Sequence, residues 1–115
     1  MARFDLHVGD GVWLLHCQSN LLEGLNTRLV VPLLPAAEAP PPMRRLNPVF
    51  DVDNQTMVMA TQFAATLRLR DMGPVRGSLA AHEATILNAL DFLISGYCAG
   101  AATVRRRPMA RVKMA

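Results

Sequence analysis

Histidines and cysteines are the residues of this chain best suited to bind a metal or to form a nucleophilic pair. They are His7, His16, His82, Cys17 and Cys98. The N-terminal stretch alternates like a two-stranded hairpin, which would send His7 and His16 to opposite faces of a sheet. Cys17 directly follows His16 and would point away from it as well. Because the spacings CxxC, HExxH and DxDxDG are missing from the sequence, we predict no metal site.

Motifs for nucleophilic catalysis or phosphate binding are missing too. Ser19, Ser78 and Ser95 fall at predicted loop, helix-cap and helix-end positions, and none lies in a GxSxG turn. Glu83 stands beside His82 in the first turn of a predicted helix, where the helix dipole stabilises a carboxylate without any catalytic role. No glycine pattern fits a phosphate loop. The residues therefore predict an interaction protein with no catalytic residue, no cofactor and no enzymatic activity.

Length and charge favour one folded domain followed by a basic tail. The chain has 115 residues, 51% of them hydrophobic, which suits a single domain. The net charge of +3 belongs to the tail, because residues 1–97 hold seven basic residues against nine acidic ones. The whole-chain charge therefore does not indicate a nucleic-acid-binding domain. The basic residues beyond position 97 are Arg105, Arg106, Arg107, Arg111 and Lys113.

Cysteine usage and hydropathy predict a soluble protein of the cytoplasm. Two cysteines do not form a disulfide framework, so a reducing compartment is the default. The N-terminus lacks the apolar segment of a secretory signal. The longest apolar run, residues 29–37, is interrupted by two prolines and is too short to cross a bilayer. We therefore expect no membrane partner.

The N-terminal half shows the patterns of short strands. Residues 4–8 alternate between apolar and polar, and residues 9–11 supply a turn that returns through residues 12–18. A three-residue loop would pair Val8 with Val12. Residues 27–33 are continuously apolar and β-branched, as in a strand buried on both faces. Pro32, which lacks a ladder donor, suggests that this is an edge strand or that the chain leaves the sheet there.

The C-terminal half predicts more strands and one helix. A proline-rich loop over 36–48 precedes strands at 49–52 and 56–61, and a third short strand near 67–69 meets the second of these. Ser78 is the expected N-cap of a helix over 79–94, and Gly96 is its expected stop. The apolar arc of this helix holds Leu79, Ile86, Leu87, Ala89, Leu90, Leu93 and Ile94, and Asn88, Asp91 and Phe92 lie outside it.

These elements predict an α+β fold, a small antiparallel barrel-like sheet capped by a C-terminal helix. The domain is expected to cover residues 1–97, and residues 98–115 are expected to form a basic, disordered extension. Leu21 and Leu22 stand side by side in a polar loop, and Phe92 lies off the helix core. These side chains either form a partner surface or fold under the proline-rich loop, and the residues alone leave both alternatives open.

Several stretches, taken in order, resemble the CcdB family of toxins. They are the segment from Phe4 to QSNLL at 18–22, the strand TRLVVPL at 27–33, LNPVF at 46–50, and the helix HEATILNALDFL at 82–93 followed by Gly96. The resemblance covers residues 4–97 with compatible spacing throughout. No single stretch is a sharp motif, but the ordered combination is specific.

The resemblance implies a homodimeric toxin of a toxin–antitoxin pair with an SH3-like antiparallel sheet and a C-terminal helix. Such a toxin is not an enzyme: it binds the A subunit of DNA gyrase and traps the cleaved-DNA complex. A CcdA-like antitoxin neutralises it through a disordered acidic segment. The two proteins together repress their operon, so operator DNA would be bound only through the antitoxin complex.

The resemblance also implies site residues. Gyrase contacts would come from an aliphatic pair after Gln-Ser and from the end of the helix. The implied gyrase-binding residues are Leu21, Leu22, Asp91, Ile94, Ser95, Gly96 and Tyr97, and the implied antitoxin-binding residues are Phe4 and Ser19. The best-known members carry Trp at the position of Ser95 and end at the position of Tyr97, so we expect a weaker contact there.

Three alternatives remain at this point. A relative of the same fold could bind the antitoxin and the operon without poisoning gyrase. A ribonuclease like MazF and Kid shares the sheet-and-helix plan and would have to recruit Arg28, Asp5 and His7. The arginines at 105–107 could also bind nucleic acid by themselves, with a steep dependence on salt.

Overall fold

The computed structural model describes residues 2–96, which form a curled antiparallel sheet and one C-terminal helix. The predicted α+β, SH3-like fold is confirmed. Predictions on Tyr97, the domain boundary and the basic tail lie outside the described residues. The elements are β1 Asp5–Gly9, β2 Val12–His16, β3 Thr27–Pro35, β4 Val49–Val52, β5 Gln55–Met59, β6 Ala65–Arg68, β7 Val75–Ser78 and α1 Glu83–Ser95, with 3₁₀ turns at Asn20–Leu22, Thr61–Phe63, Leu69–Asp71 and Ala80–His82.

Strand β3 is the central strand of the sheet. The strand order is β4-β5-β3-β2-β1-β7, and β6 pairs with β3 outside this path. One edge of β3 pairs with β2, and the other edge pairs first with β6 over residues 27–30 and then with β5 over residues 33–35. Pro32 lies at the change of partner, and its carbonyl accepts from Ala60 N on that same edge. Proline has no backbone N–H to donate. At Pro32 this falls where the hydrogen-bond ladder of β3 is already interrupted by the change of partner strand.

The register of the first hairpin differs from the predicted one. Val8 pairs with Trp13 and Gly9 with Val12, so the turn consists of Asp10 and Gly11 alone. Both turn residues have positive φ, 52° and 78°, as a two-residue hairpin turn of the I′ type requires. The predicted three-residue loop and its pairing of Val8 with Val12 were wrong. A slip of one residue exchanges the two faces of a strand.

The core lies on one face of the sheet, where cross-strand neighbours stack in rows. Leu6 pairs with Leu15, and Leu15 pairs with Val31. In the next row Leu33 pairs with Met59. All five side chains are buried in one cluster with residues of β4 and α1. Residues 51–53 and 76–79 line one cleft. The curl of the sheet therefore brings its two edge strands, β4 and β7, close together.

The C-terminal half differs from prediction at three places. Residues 75–78, which showed no strand pattern, form β7 and pair with β1. The strand near residue 67 pairs with β3 and not with the strand before it. Ser78 ends β7, where its hydroxyl accepts from Ala80 N. After a 3₁₀ turn the α-helix begins only at Glu83, four residues later than predicted.

Helix α1 covers the core with its middle and leaves its end exposed. Ile86 and Ala89 are buried against the sheet, whereas Ile94 is 80% exposed. The predicted apolar arc is therefore buried only in the middle of the helix, and its last members, Leu93 and Ile94, are exposed. Gly96 ends the helix with φ 71°, and its N–H donates to Phe92 O as in a left-handed C-cap. The predicted stop at Gly96 is confirmed.

Gly73 allows the segment before β7 to approach β1 closely. A Cβ atom at this position would lie 1.8 Å from Val8 O. We expect Gly73→Ala to lower the free energy of unfolding by at least about 2 kcal/mol, because backbone must move to relieve the overlap. Urea unfolding measures the change.

Gly24→Ala is the matched control for this substitution. A Cβ atom at position 24 would meet nothing within 4 Å. Its effect on stability should stay below about 1 kcal/mol. Equal unfolding midpoints for the two variants would show that the close approach at Gly73 has no energetic weight.

Candidate functional site

The most exposed leucine of the structure lies in the loop between β2 and β3, residues 19–26, here called the leucine loop. Leu21 is 93% exposed, and Leu22 and Leu25 are exposed to about half. Of the two alternatives left open by the sequence, the structure supports an exposed surface for the leucine pair. Leu25 was missed as part of this surface, because it is separated from the pair by Glu23 and Gly24 and belongs to no run of apolar residues.

Ser19 and Gln18 hold the beginning of the leucine loop. Ser19 Oγ accepts from Leu21 N at 3.1 Å and caps the 3₁₀ turn. Gln18 Nε2 donates to Thr27 O at 3.0 Å and to Leu22 O at 3.4 Å. The oxygen of the same amide accepts from Leu29 N at 3.0 Å. The Gln18 side chain therefore connects the loop to the start of β3.

Arg28 holds the end of the leucine loop. Its Nη1 donates to Leu25 O at 2.6 Å and to Thr27 O at 2.9 Å. Its Nη2 donates to Glu23 O at 3.1 Å. The residue is only 5% exposed. The loop is thus fixed through its own carbonyl groups, while its leucine side chains point into solvent.

The other predicted contact segment lies at the end of α1. Asp91, Ile94, Ser95 and Gly96 are all exposed, and Ser95 Oγ donates to Asp91 O at 2.8 Å. Tyr97 lies outside the described residues. The end of the helix therefore offers Ile94 as its largest exposed apolar group.

The leucine loop lies near the opposite end of this helix. Arg3 N donates to Asn20 Oδ1, and the Arg3 guanidinium pairs with Glu83 at 3.1 Å. A 13-residue helix is about 20 Å long. Within one chain the structure thus connects the loop to the beginning of α1 and does not join the two predicted gyrase-binding segments.

The two residues assigned to antitoxin binding differ in exposure. Phe4 is 2% exposed and belongs to the core cluster. Its ring lies 4.6 Å from the Arg3 guanidinium carbon, so Arg3 covers it from outside. Ser19 is half-buried and uses its hydroxyl to cap the loop. An antitoxin contact at these two positions stays a prediction.

The face of the sheet opposite the core carries a pair of buried histidines. The observed register places His7 and His16 on this one face, with ring centroids 6.4 Å apart. The prediction that they leave opposite faces was wrong, because it used the slipped register. His7 Nδ1 donates to Gly73 O and His16 Nδ1 donates to Ala2 O. Both Nε2 atoms are buried without a hydrogen-bond partner.

The remaining chemistry-bearing side chains have structural surroundings. Burial raises the pKa of the Cys17 thiol to about 12, so it stays protonated at neutral pH. Cys17 packs in the core, as expected for a small apolar residue. The His82 ring packs against Phe50 in a tilted arrangement, with ring centroids 5.0 Å apart. Between residues 2 and 96 the structure groups no three histidine, cysteine or acidic side chains in a way that could hold a metal ion.

The described part of the chain contains no helix of the length and hydropathy needed to traverse a bilayer. The fold and the site of residues 2–96 together define a class of protein: a small α+β domain with an SH3-like sheet, one helix after the sheet and an apolar loop exposed to solvent.

A family comparison assigns the chain more closely. The family model described as CcdB protein matches residues 7–96. The chain therefore belongs to the CcdB family and is a CcdB-like toxin of the toxin–antitoxin type, as the sequence resemblance indicated. A search of curated proteins finds no match.

The buried His16 should make the fold sensitive to acid. Burial, with a smaller contribution from the nearby Arg28 charge, lowers the pKa of His16 below its ordinary value of 6.5. As the pH falls below 6.5, the unfolded chain therefore takes up the proton first. The stability associated with neutral His16 is complete above pH 6.5 and is lost as the pH falls through the pKa of the folded state.

Urea unfolding at pH 7.5, 6.5 and 5.5 measures this effect. We expect the free energy of unfolding to fall over this range in the natural protein and to fall less in His16→Gln. His82→Gln, which replaces an exposed ring, serves as the control for the loss of one histidine. An identical pH dependence for the His16→Gln variant and the natural protein would contradict the assignment.

Proposed function

We propose that this CcdB-like toxin binds the A subunit of DNA gyrase, traps the gyrase–DNA cleavage complex, and is neutralised by a CcdA-like antitoxin. The observation that supports this proposal most is the exposure of Leu21, at 93%, in a loop held by Gln18 and Arg28. The family membership supports the class of target, and the exposure of the leucine loop supports the contact surface. Gyrase acts in the cytoplasm, so the proposal places the toxin there.

The physical basis of the proposal is the burial of leucine side chains on binding. Transferring one exposed leucine side chain out of water contributes about 1.5–3 kcal/mol. A loop that is already ordered loses little conformational entropy when its partner arrives. Leu21 and Leu22 together can therefore contribute a large part of the binding free energy without any catalytic group.

We propose that the active form is a homodimer. Leu93 and Ile94 are exposed beyond the last turn that packs on the sheet, and Phe63 is exposed in the 3₁₀ turn that packs beside α1. An apolar surface of this kind on a small domain favours association with another surface. A two-fold dimer would present two leucine loops to the two-fold gyrase A dimer.

We propose that the protein has no enzymatic activity. A ribonuclease of similar plan would need Arg28, Asp5 and His7 on one accessible surface. Arg28 and His7 are buried, and every donor that Arg28 uses is directed to a backbone carbonyl. Residues 1–97 have a slight excess of acidic side chains, so contact with operator DNA is assigned to the antitoxin complex.

A second candidate is a relative that binds the antitoxin without poisoning gyrase. Its support is Ser95, a small residue whose hydroxyl is bonded back to Asp91 O where an aromatic ring would reach a partner. Expression with and without a co-expressed antitoxin separates the two. Growth inhibition that the antitoxin relieves supports the toxin. Antitoxin binding without growth inhibition supports the relative.

Replacing Leu21 and Leu22 by Asp should abolish growth inhibition. We expect the double variant to bind a gyrase A fragment at least about 100-fold more weakly, because two apolar contacts are replaced by charges that resist burial. Growth on induction and surface plasmon resonance measure the two effects. Circular dichroism checks that the variant is folded.

Met43→Asp is the control for the added charge. Met43 is 54% exposed, close to the 47% of Leu22, and lies in the proline-rich loop. This variant should bind and inhibit growth like the natural protein. A folded Leu21→Asp, Leu22→Asp protein that remained as toxic as the natural one would remove the leucine loop from the interface.

Purified protein should leave single-stranded RNA intact, because Arg28 and His7, two of the three residues that cleavage would recruit, are buried. Gel electrophoresis of an RNA incubated with protein from two independent purifications measures this. Cleavage that disappears in the Asp5→Asn variant would contradict the proposal and favour the ribonuclease alternative.

A further inference from the structure

The leucine loop has almost no packing of its own. The residues at positions 20–26 are all exposed. Its internal backbone hydrogen bonds are those from Leu22 N to Ser19 O, from Glu23 N to Asn20 O and from Leu25 N to Leu22 O. A segment without buried apolar contacts and with exposed hydrogen bonds is expected to open easily. Its observed conformation therefore depends on groups outside the loop.

Arg28 is the largest of these groups. It is buried and takes part in neither ion pair found among residues 2–96. Three carbonyl groups, at Glu23, Leu25 and Thr27, receive its N–H donors. A buried charge is costly unless hydrogen bonds compensate it, so the guanidinium and the loop carbonyls each require the other.

Gln18 fixes the same loop from the β2 side. Its amide nitrogen donates to Leu22 O and Thr27 O. Thr27 O therefore accepts from both Gln18 and Arg28, and the two side chains form one connected group. Between them they bind carbonyls at the middle and the end of the loop.

We propose that Arg28, together with Gln18, is a positioning residue that holds the leucine loop in its partner-binding conformation before the partner arrives. This inference rests on the proposed function for the identity of the partner. Arg28 touches no partner itself and acts through the backbone of the loop. Its loss should lower the fraction of molecules whose loop is ready to bind.

The consequence for affinity follows from that fraction. If only about one molecule in ten has an ordered loop, the apparent Kd rises about tenfold although no contact residue has changed. The association rate should fall in parallel, because fewer encounters are productive. Dissociation should change less, since the bound loop is held by the partner.

Arg28→Met tests the inference, because methionine keeps the apolar stem and removes all five donors. Gln18→Glu is a second variant: it removes the donors to Leu22 O and Thr27 O and keeps an oxygen that can accept from Leu29 N. Arg44→Met is the matched control, since Arg44 is exposed in the proline-rich loop. The second variant keeps the test decisive if Arg28→Met does not fold.

The first measurement is amide hydrogen exchange of the free protein, with Val31 of the buried strand β3 as internal reference. In Arg28→Met and in Gln18→Glu we expect Leu22, Glu23 and Leu25 to exchange at least about tenfold faster relative to Val31. Arg44→Met should leave the ratio unchanged. An unchanged ratio in both loop variants would overturn the inference.

The second measurement is the kinetics of binding to a gyrase A fragment, well below the unfolding temperature of each variant. We expect association to slow about tenfold in Arg28→Met with a smaller change in dissociation. A purely structural role would lower only the thermal midpoint and leave both rates of the folded protein unchanged, which contradicts the inference.

The two proposals fail in different ways. If the natural protein does not bind the gyrase A fragment, the proposed function fails, while hydrogen exchange still shows whether Arg28 orders the loop. If the natural protein binds and Arg28→Met binds at the same rate, the proposed function stands and the positioning role is rejected.

Discussion

The side-chain alternation along β3 is the constraint on which the structure depends. Odd-numbered residues such as Val31 and Leu33 enter the hydrophobic core, and even-numbered residues such as Arg28 and Val30 face the opposite side with the histidine pair. Because both faces are buried, neither can be exchanged for the other. The same alternation that forms the core thus also delivers Arg28 to the base of the leucine loop.

Most of the histidine and cysteine side chains between residues 2 and 96 are buried, whereas several large apolar side chains are exposed at the proposed contact surfaces. Three of the groups able to do chemistry, Cys17, His7 and His16, lie inside, where the thiol stays protonated and the imidazoles donate to backbone carbonyls through Nδ1. The most exposed large apolar side chains of the leucine loop and of the last helical turn, Leu21 and Ile94, are aliphatic. Such a distribution suits a protein that acts by occupying a surface of its target, as we propose for gyrase.

Much of the fold could be predicted from the sequence, because periodicity reports burial directly. The hairpin register could not, since Asp10-Gly11 and the preceding Gly9 all tolerate positive φ and only the cross-strand packing selects two of them. Strand β7 could not be predicted, because its side chains are exposed and form no hydrophobic pattern. Leu21 and Leu22 were identifiable as apolar residues in a polar loop, but the role of Arg28 depends on carbonyl groups that the sequence does not display.

Gln18 and Arg28 hold the leucine loop through its main-chain oxygens, which every amino acid possesses. The hydrogen bonds that Gln18 and Arg28 donate to the loop end on backbone oxygens and involve none of the side chains at positions 21, 22 and 25. Those three positions can therefore be exchanged with little effect on the geometry that presents them. The backbone of the loop is thus fixed by the scaffold, whereas the side chains that it presents can vary. Local sequence change in the loop alone would therefore be enough to direct this small scaffold from one target surface to another.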